Sequence, residues 1–184
     1  MSTTEWYTPA RYIEAARTVM GSIELDPASC AQANRIVKAE RYYTKEQNGL
    51  LQPWCARSLW LNPPYGRSAT MQGHHGSTIK LFVDTCLHAY QSGQVQQAII
   101  LASTEVNATW FYPLWSYPIC FADHRVKFLV GEQHHKYTHM FGTCFVYLGP
   151  RHARFGEVFS TFGHIVRAVE PSRPRAVTLP LWEA

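Results

Sequence analysis

The chain predicts an α/β fold, a sheet with helices on both faces, and three observations carry that prediction. Ile79, Phe82, Val83, Cys86, Leu87 and Tyr90 recur at helical spacing. Ala98-Ile99-Ile100-Leu101-Ala102 is a continuous apolar run bounded by polar residues, the pattern of a strand buried on both faces. Segments of these two kinds alternate along the chain, and alternating helices and buried strands assemble into layered sheets.

The elements follow in order. Thr8-Pro9 predicts a helix start, with a hydroxyl at the N-cap and proline at the first helical position. Tyr12, Ile13, Ala16, Val19 and Met20 then repeat at helical spacing, and Gly21 ends the run. Residues 22–26 read as a strand ending in an acid, followed by Pro27. Ser29 is placed to cap a second helix carrying Ala33, Ile36 and Val37. Tyr42-Tyr43-Thr44 reads as a short strand, and residues 45–53 as a polar loop centred on Asn48-Gly49. Ser58-Leu59-Trp60-Leu61 is the next strand. Residues 66–77, with three glycines and two histidines, read as a flexible loop before the helix that closes at Gly93. A short aromatic helix is expected around Trp110-Phe111. Residues 119–122, 125–129 and 143–148 are strand-like, and the last two are expected to pair as a C-terminal antiparallel hairpin around the loop 131–142. Phe155, Val158, Phe159 and Phe162 suggest one more helix. From Glu170 the chain is rich in Pro and Arg, so one domain is expected at 1-169 and an extended tail at 170-184.

Composition narrows the classes of function. The 184 residues, 46% of them hydrophobic, suit one domain with its own core. No run of 18 apolar residues exists, and the N-terminus lacks the basic-then-apolar pattern of a secretory signal, so no membrane association is expected. Cys30, Cys55, Cys86, Cys120 and Cys144 are odd in number and form no CxxC; they read as reduced thiols of a cytoplasmic protein. A net charge of +4 and a pI near 8.8 permit a nucleic-acid partner without demanding one.

Asn62-Pro63-Pro64-Tyr65 ends the strand at 58–61, and it is the feature richest in chemistry. The prolines have fixed φ and no N–H, so they stop the ladder and stiffen the turn. A stiff turn can hold one amide oxygen, one backbone carbonyl and one aromatic ring around a small planar ligand, as methylation of a planar amino group requires. The four residues alone also fit a strand-ending loop, with Asn as turn former and Tyr as a core anchor. Ligands of such sheets bind beyond the carboxyl ends of the strands, so Asp26, Asn48 and Asn62 are expected on one rim.

Their context is more specific. Trp6-x-Thr8-Pro9, Leu25-Asp26-Pro27-Ala28-Ser29, Asn34, Asn48-Gly49-Leu50, Trp54 and the run from Trp60 to Gly66 stand in that order. The set resembles the phage-type DNA N6-adenine methyltransferases (Dam-like), small enzymes of phages and prophages. Thr104, Trp110 and residues 125–128 and 144–148 extend it over roughly residues 5–165. The resemblance implies a Rossmann-like methyltransferase sheet, S-adenosylmethionine as cofactor, double-stranded DNA as partner, and the host cytoplasm as location if the chain is phage-encoded. It implies that the Asn62 side-chain oxygen and the Pro63 carbonyl accept the hydrogens of adenine N6, localising its lone pair. Pro64 stiffens that turn, and Tyr65 stacks on the extruded base.

For the cofactor, Thr8 and Pro9 resemble the segment that packs beside its methionine part. Asp26 admits two registers, since no Gly-rich loop follows it. It ends the first strand of the sheet, with Pro27-Ala28-Ser29 in place of the glycines. Alternatively it ends the second strand and receives the ribose hydroxyls, with Asn48 on the cofactor adenine. The second fits better the separation of about 36 residues between Asp26 and Asn62.

No metal is expected. His74-His75 and His134-His135 are adjacent pairs, and adjacent residues rarely chelate one ion. The loops around them are expected to approach DNA, with Arg67 and Lys136 on phosphates or bases, unless they are plain solvated surface. Arg151, Arg154, Arg167, Arg173 and Arg175 form a second candidate surface. Two other readings compete: a methyltransferase acting on an RNA base or on protein glutamine, and a catalytically inactive DNA-binding relative.

Overall fold

Apolar residues that alternate sides along adjacent strands need a cover on each face, and the computed structural model provides one. It describes residues 6–68, 76–130, 135–138 and 142–168. The strands are β1 (Trp6–Tyr7), β2 (Leu25–Asp26), β3 (Arg41–Tyr42), β4 (Leu59–Leu61), β5 (Arg67–Ser68), β6 (Gly76–Ser77), β7 (Ala98–Ser103), β8 (Ile119–Ala122), β9 (Lys127–Val130), β10 (His135–Thr138), β11 (Thr143–Leu148) and β12 (Gly163–Val166). The α-helices are α1 (Ala10–Met20), α2 (Ala31–Val37), α3 (Thr78–Gln91) and α4 (His152–Phe159).

Seven strands form the main sheet in the order β12-β8-β11-β7-β4-β2-β3. β3, β2, β4 and β7 run parallel, while β11 lies antiparallel between β7 and β8. Leu59, Leu61, Ala98, Ile100, Ala102, Cys144 and Val146 pack on one face with Ile79, Phe82, Val83 and Cys86 of α3. Trp60, Ile99, Leu101, Phe145 and Tyr147 pack on the other with Tyr12, Ile13 and Val19 of α1 and Phe155 and Phe159 of α4. Strict alternation places neighbours in opposite cores, so every residue of β4, β7 and β11 is buried.

Several expectations change in three dimensions. Thr8 does not cap α1: Pro9 occupies the N-cap with ψ 142°, and no side chain caps the helix. Cys30, not Ser29, caps α2; its Sγ accepts the Ala33 N–H at 3.4 Å. The aromatic turn after β7 is a 3-10 helix at Tyr112–Ser116. The hairpin between 125–129 and 143–148 is absent. β9 pairs with β1 and β10 in a separate three-stranded antiparallel sheet, and β11 joins the main sheet instead. The reason is burial: every β11 residue is apolar enough to be covered on both faces, whereas β9 begins with the exposed Lys127. The last helix stops at Phe159 and gives way to β12, where a Cβ on Gly163 would overlap the Phe121 carbonyl oxygen. β5 and β6 pair across the stretch read as loop, of which residues 69–75 lie outside the described residues, as do 169–184 of the expected tail. No helix among the described residues is long and apolar enough to cross a membrane.

Candidate active site

Parallel neighbours end on the same side of a sheet, so the residues following β2, β3, β4 and β7 converge. They line one cavity of about 710 Å3. Asp26 to Cys30 come from β2, Tyr43 to Lys45 from β3, Asn62 to Tyr65 from β4 and Ser103 from β7. Trp6, Tyr7, Thr8 and Phe128 form a further wall, and Asn48, Gly49 and Leu50 close the β2 side.

Thr8, Asp26, Pro27, Asn48, Asn62, Pro63, Pro64 and Tyr65 therefore share one cavity. Pro9 does not; it lines a separate recess with Arg11, Lys127 and Leu129. Arg67 and Lys136 have described backbones in β5 and β10, but their side chains lie outside the described residues, as do those of the two histidine pairs.

The Asn62 Nδ2 donates to the Trp6 carbonyl at 3.2 Å. That bond fixes the amide and leaves Oδ1 as an acceptor with no protein partner among the described residues. Tyr65 is 42% exposed, and its hydroxyl reaches Ser103. Burial pushes the phenol well above its ordinary pKa, opposed by hydrogen bonding to Ser103. The Ser103 Oγ in turn donates to Glu105 Oε2 at 3.1 Å, so the aromatic ring is braced from behind.

Asp26 is 2% exposed, and the backbone N–H of Ala28 donates to its Oδ1 at 3.2 Å. Burial pushes its carboxyl up to about 7, opposed by that N–H and by the nearby Ser29 hydroxyl. Ser29 favours the charge by proximity but falls short of a hydrogen bond. Its Oγ is a buried polar atom without any partner, because Cys30 has taken the capping position. A buried carboxyl with one donor and an orphaned hydroxyl beside it fit a ligand that brings its own hydroxyl and amino groups.

β2 lies directly between β4 and β3. Asp26 thus ends the strand adjacent to the Asn62 strand, the position of the first strand in a doubly wound sheet. The second register, favoured by spacing, would need another strand between them. Asn48 still reaches the cavity, but its Oδ1 accepts from Leu50 N–H at 3.3 Å, holding the turn. Gly49 packs so closely that a Cβ would overlap the Pro27 carbonyl oxygen, and the Trp54 indole N–H holds the Gly49 carbonyl at 2.8 Å. Asn34 clasps the backbone of Ala39 through both its amide atoms, at 2.8 and 3.2 Å. These residues build the walls.

Sequence reasoning assigns no role to Ser103 or the Trp6 carbonyl, and to Ser29 only helix capping or, in the first register, a place in the loop that stands in for the glycines. Ser103 carries a signal, as the polar residue ending a strand buried on both faces. The Trp6 carbonyl carries none, since backbone groups leave no trace in side-chain patterns.

A mixed seven-stranded sheet flanked by helices, with this cavity beyond its parallel strand ends, is compatible with a methyltransferase-like fold. The chain belongs to the Dam family of DNA N-6-adenine-methyltransferases, whose family model matches residues 2–153. The family implies a DNA adenine N6-methyltransferase, and such enzymes generally use S-adenosylmethionine. No curated protein and no solved structure matches the chain.

Proposed function

We propose that this chain is an S-adenosylmethionine-dependent, site-specific methyltransferase of phage or prophage type, acting on adenine N6 in double-stranded DNA. The observation that carries the reading is the Asn62 amide: it is held by the Trp6 carbonyl, its Oδ1 has no partner among the described residues, and it shares a cavity with the buried Asp26.

Adenine N6 is a weak nucleophile because its lone pair is delocalised into the ring. Asn62 Oδ1 and the Pro63 carbonyl accept its two hydrogens and draw it toward tetrahedral geometry. A fixed acceptor pair needs no reorganisation as charge develops, which is where such groups lower a barrier. The Tyr65 ring, exposed on its cavity side and braced by Ser103, stacks on the flipped base and offsets part of the few kcal/mol that flipping costs. Pro63 and Pro64 keep the acceptors and the ring in register. No strong base is needed, because N6 becomes acidic once it has gained the methyl group, and its proton then leaves to water.

Asp26 and Ser29 would hold the cofactor through its hydroxyl and amino groups, with Thr8 beside its methionine part and Asn48 at the rim. When bound, the cofactor supplies an electrophilic methyl group on a sulfonium.

Incubation with radiolabelled S-adenosylmethionine and duplex DNA, RNA or protein tests the reading. Label is expected in duplex DNA, at N6 of adenine. Label in RNA or in glutamine would replace the proposed substrate, and cofactor binding without transfer would mark an inactive relative.

A further inference from the structure

Outside the main cavity, a recess of about 240 Å3 is lined by Pro9, Arg11, Lys127 and Leu129. Two cations face it, and among the described residues no acidic residue lines it. Among the described residues neither Arg11 nor Lys127 has a carboxylate partner. Both are exposed, which is ordinary for a lysine, but Arg11 is also held in place.

Its Nη2 donates to the Tyr12 hydroxyl at 2.5 Å and approaches His124 Nε2 at 3.1 Å. The Tyr12 hydroxyl lies 2.7 Å from His124 Nε2, and His124 Nδ1 lies 2.7 Å from Asp123 Oδ1. With Nδ1–H donating to Asp123, His124 Nε2 is an acceptor shared between the Tyr12 hydroxyl and the Arg11 guanidinium. The guanidinium also sits over the Tyr12 ring, 4.6 Å from its centroid. The network orients the fork without an ion pair to it, because its one acid, Asp123, contacts His124 rather than Arg11. An oriented guanidinium with no ion-pair partner among the described residues, beside an exposed ammonium, suits a phosphate oxyanion.

The recess adjoins the candidate active site. Thr8 lines the main cavity and Pro9, next to it, lines the recess. Phe128 lines the main cavity, and its neighbours Lys127 and Leu129 line the recess, as expected for alternate residues of one strand. The two sites lie on opposite faces of one thin layer.

Resting on the reading that this chain acts on duplex DNA, we propose that Arg11 and Lys127 form a phosphate-binding site for the DNA backbone close to the flipped adenine. Such a contact positions the duplex without reading its sequence.

The test is fluorescence anisotropy with a labelled duplex of arbitrary sequence over a salt series. Wild type is compared with Lys127→Gln, Arg11→Gln and the charge-retaining Lys127→Arg and Arg11→Lys. Each glutamine variant should lower the salt slope by about 0.9 and weaken binding roughly eightfold at 0.1 M salt. The charge-retaining variants should keep the wild-type slope, and S-adenosylmethionine affinity should stay unchanged in all four. Lys127 is exposed and makes no side-chain hydrogen bond or ion pair among the described residues, so its result stands even if Arg11→Gln unfolds. Wild-type slopes in both glutamine variants, with methyl transfer to DNA intact in wild type, would overturn the site and leave the function standing. An effect of Lys127→Gln on inorganic phosphate binding alone would reduce the recess to a small-anion site and overturn the proposal. Failure of wild type to bind or methylate duplex DNA would remove both readings.

Discussion

Replacing the Asp26 carboxyl by an amide should make the protein more stable and less able to bind its cofactor. Burial raises the Asp26 carboxyl from 3.8 to about 7, a rise worth roughly 4 kcal/mol when fully expressed. Between those two values the folded chain keeps a proton that the unfolded chain has released. Stability from this group is therefore complete below about pH 4 and is lost as pH rises through 7. The amide has the same shape as the carboxyl and no charge, so the advantage of Asp26→Asn should grow with pH. Integrating the linkage gives an advantage of roughly 1.7 kcal/mol at pH 5 and roughly 4 kcal/mol at pH 8. The gap should thus widen by about 2–3 kcal/mol, well outside the error of urea unfolding for a domain of this size. All other groups titrate alike in the two proteins and cancel. The same carboxylate is the form that accepts hydroxyls, so wild-type affinity for S-adenosylmethionine should fall about tenfold from pH 8 to pH 6. Calorimetry should show at least tenfold weaker binding in the variant at pH 8, about 1.4 kcal/mol. Parallel stability curves for the two proteins would refute the raised pKa, and unchanged cofactor affinity would remove Asp26 from the binding site.

Further outcomes follow from the same geometry. Asn62→Ala should abolish methyl transfer and leave cofactor affinity within a few-fold, because Oδ1 acts on the substrate amine; single-turnover rates and calorimetry check this. Tyr65→Ala should remove most turnover, whereas Tyr65→Phe and Ser103→Ala should each lower it roughly fivefold, the worth of one net hydrogen bond. The double variant Tyr65→Phe/Ser103→Ala should lose no more than either alone, since both cut the same brace. Gly49→Ala should cost at least about 2 kcal/mol in urea unfolding, because its Cβ would overlap the Pro27 carbonyl oxygen at the cavity wall.

Periodicity and strand-end logic reach far into this chain. The spacing of Ile79, Phe82, Val83, Cys86 and Leu87 predicts α3, and the apolar run at 98–102 predicts β7; both signals arise from burial against one sheet. Asp26, Asn48 and Asn62 are expected on one rim, and they line one cavity. The ordered motifs resemble the family to which the chain belongs. These features are local, or depend only on which face of an element is apolar, and so a linear sequence can carry them.

What only the tertiary structure decided is which strands are neighbours and which polar groups meet. Spacing favours a further strand between those that end in Asp26 and Asn62; direct pairing of Leu25 with Leu59 makes the two strands neighbours. Residues 125–129 read as the partner of 143–148, yet β9 leaves the main sheet to pair with β1 and β10. That departure matters for the site, because β1 thereby presents the Trp6 carbonyl to Asn62. Ser29 reads as a helix cap, and it stands unpaired beside Asp26 because Cys30 caps instead. Strand pairing and hydrogen-bond choice depend on residues far apart in sequence competing for the same partners. The winner is set by the burial of the whole sheet, which no short window of sequence contains.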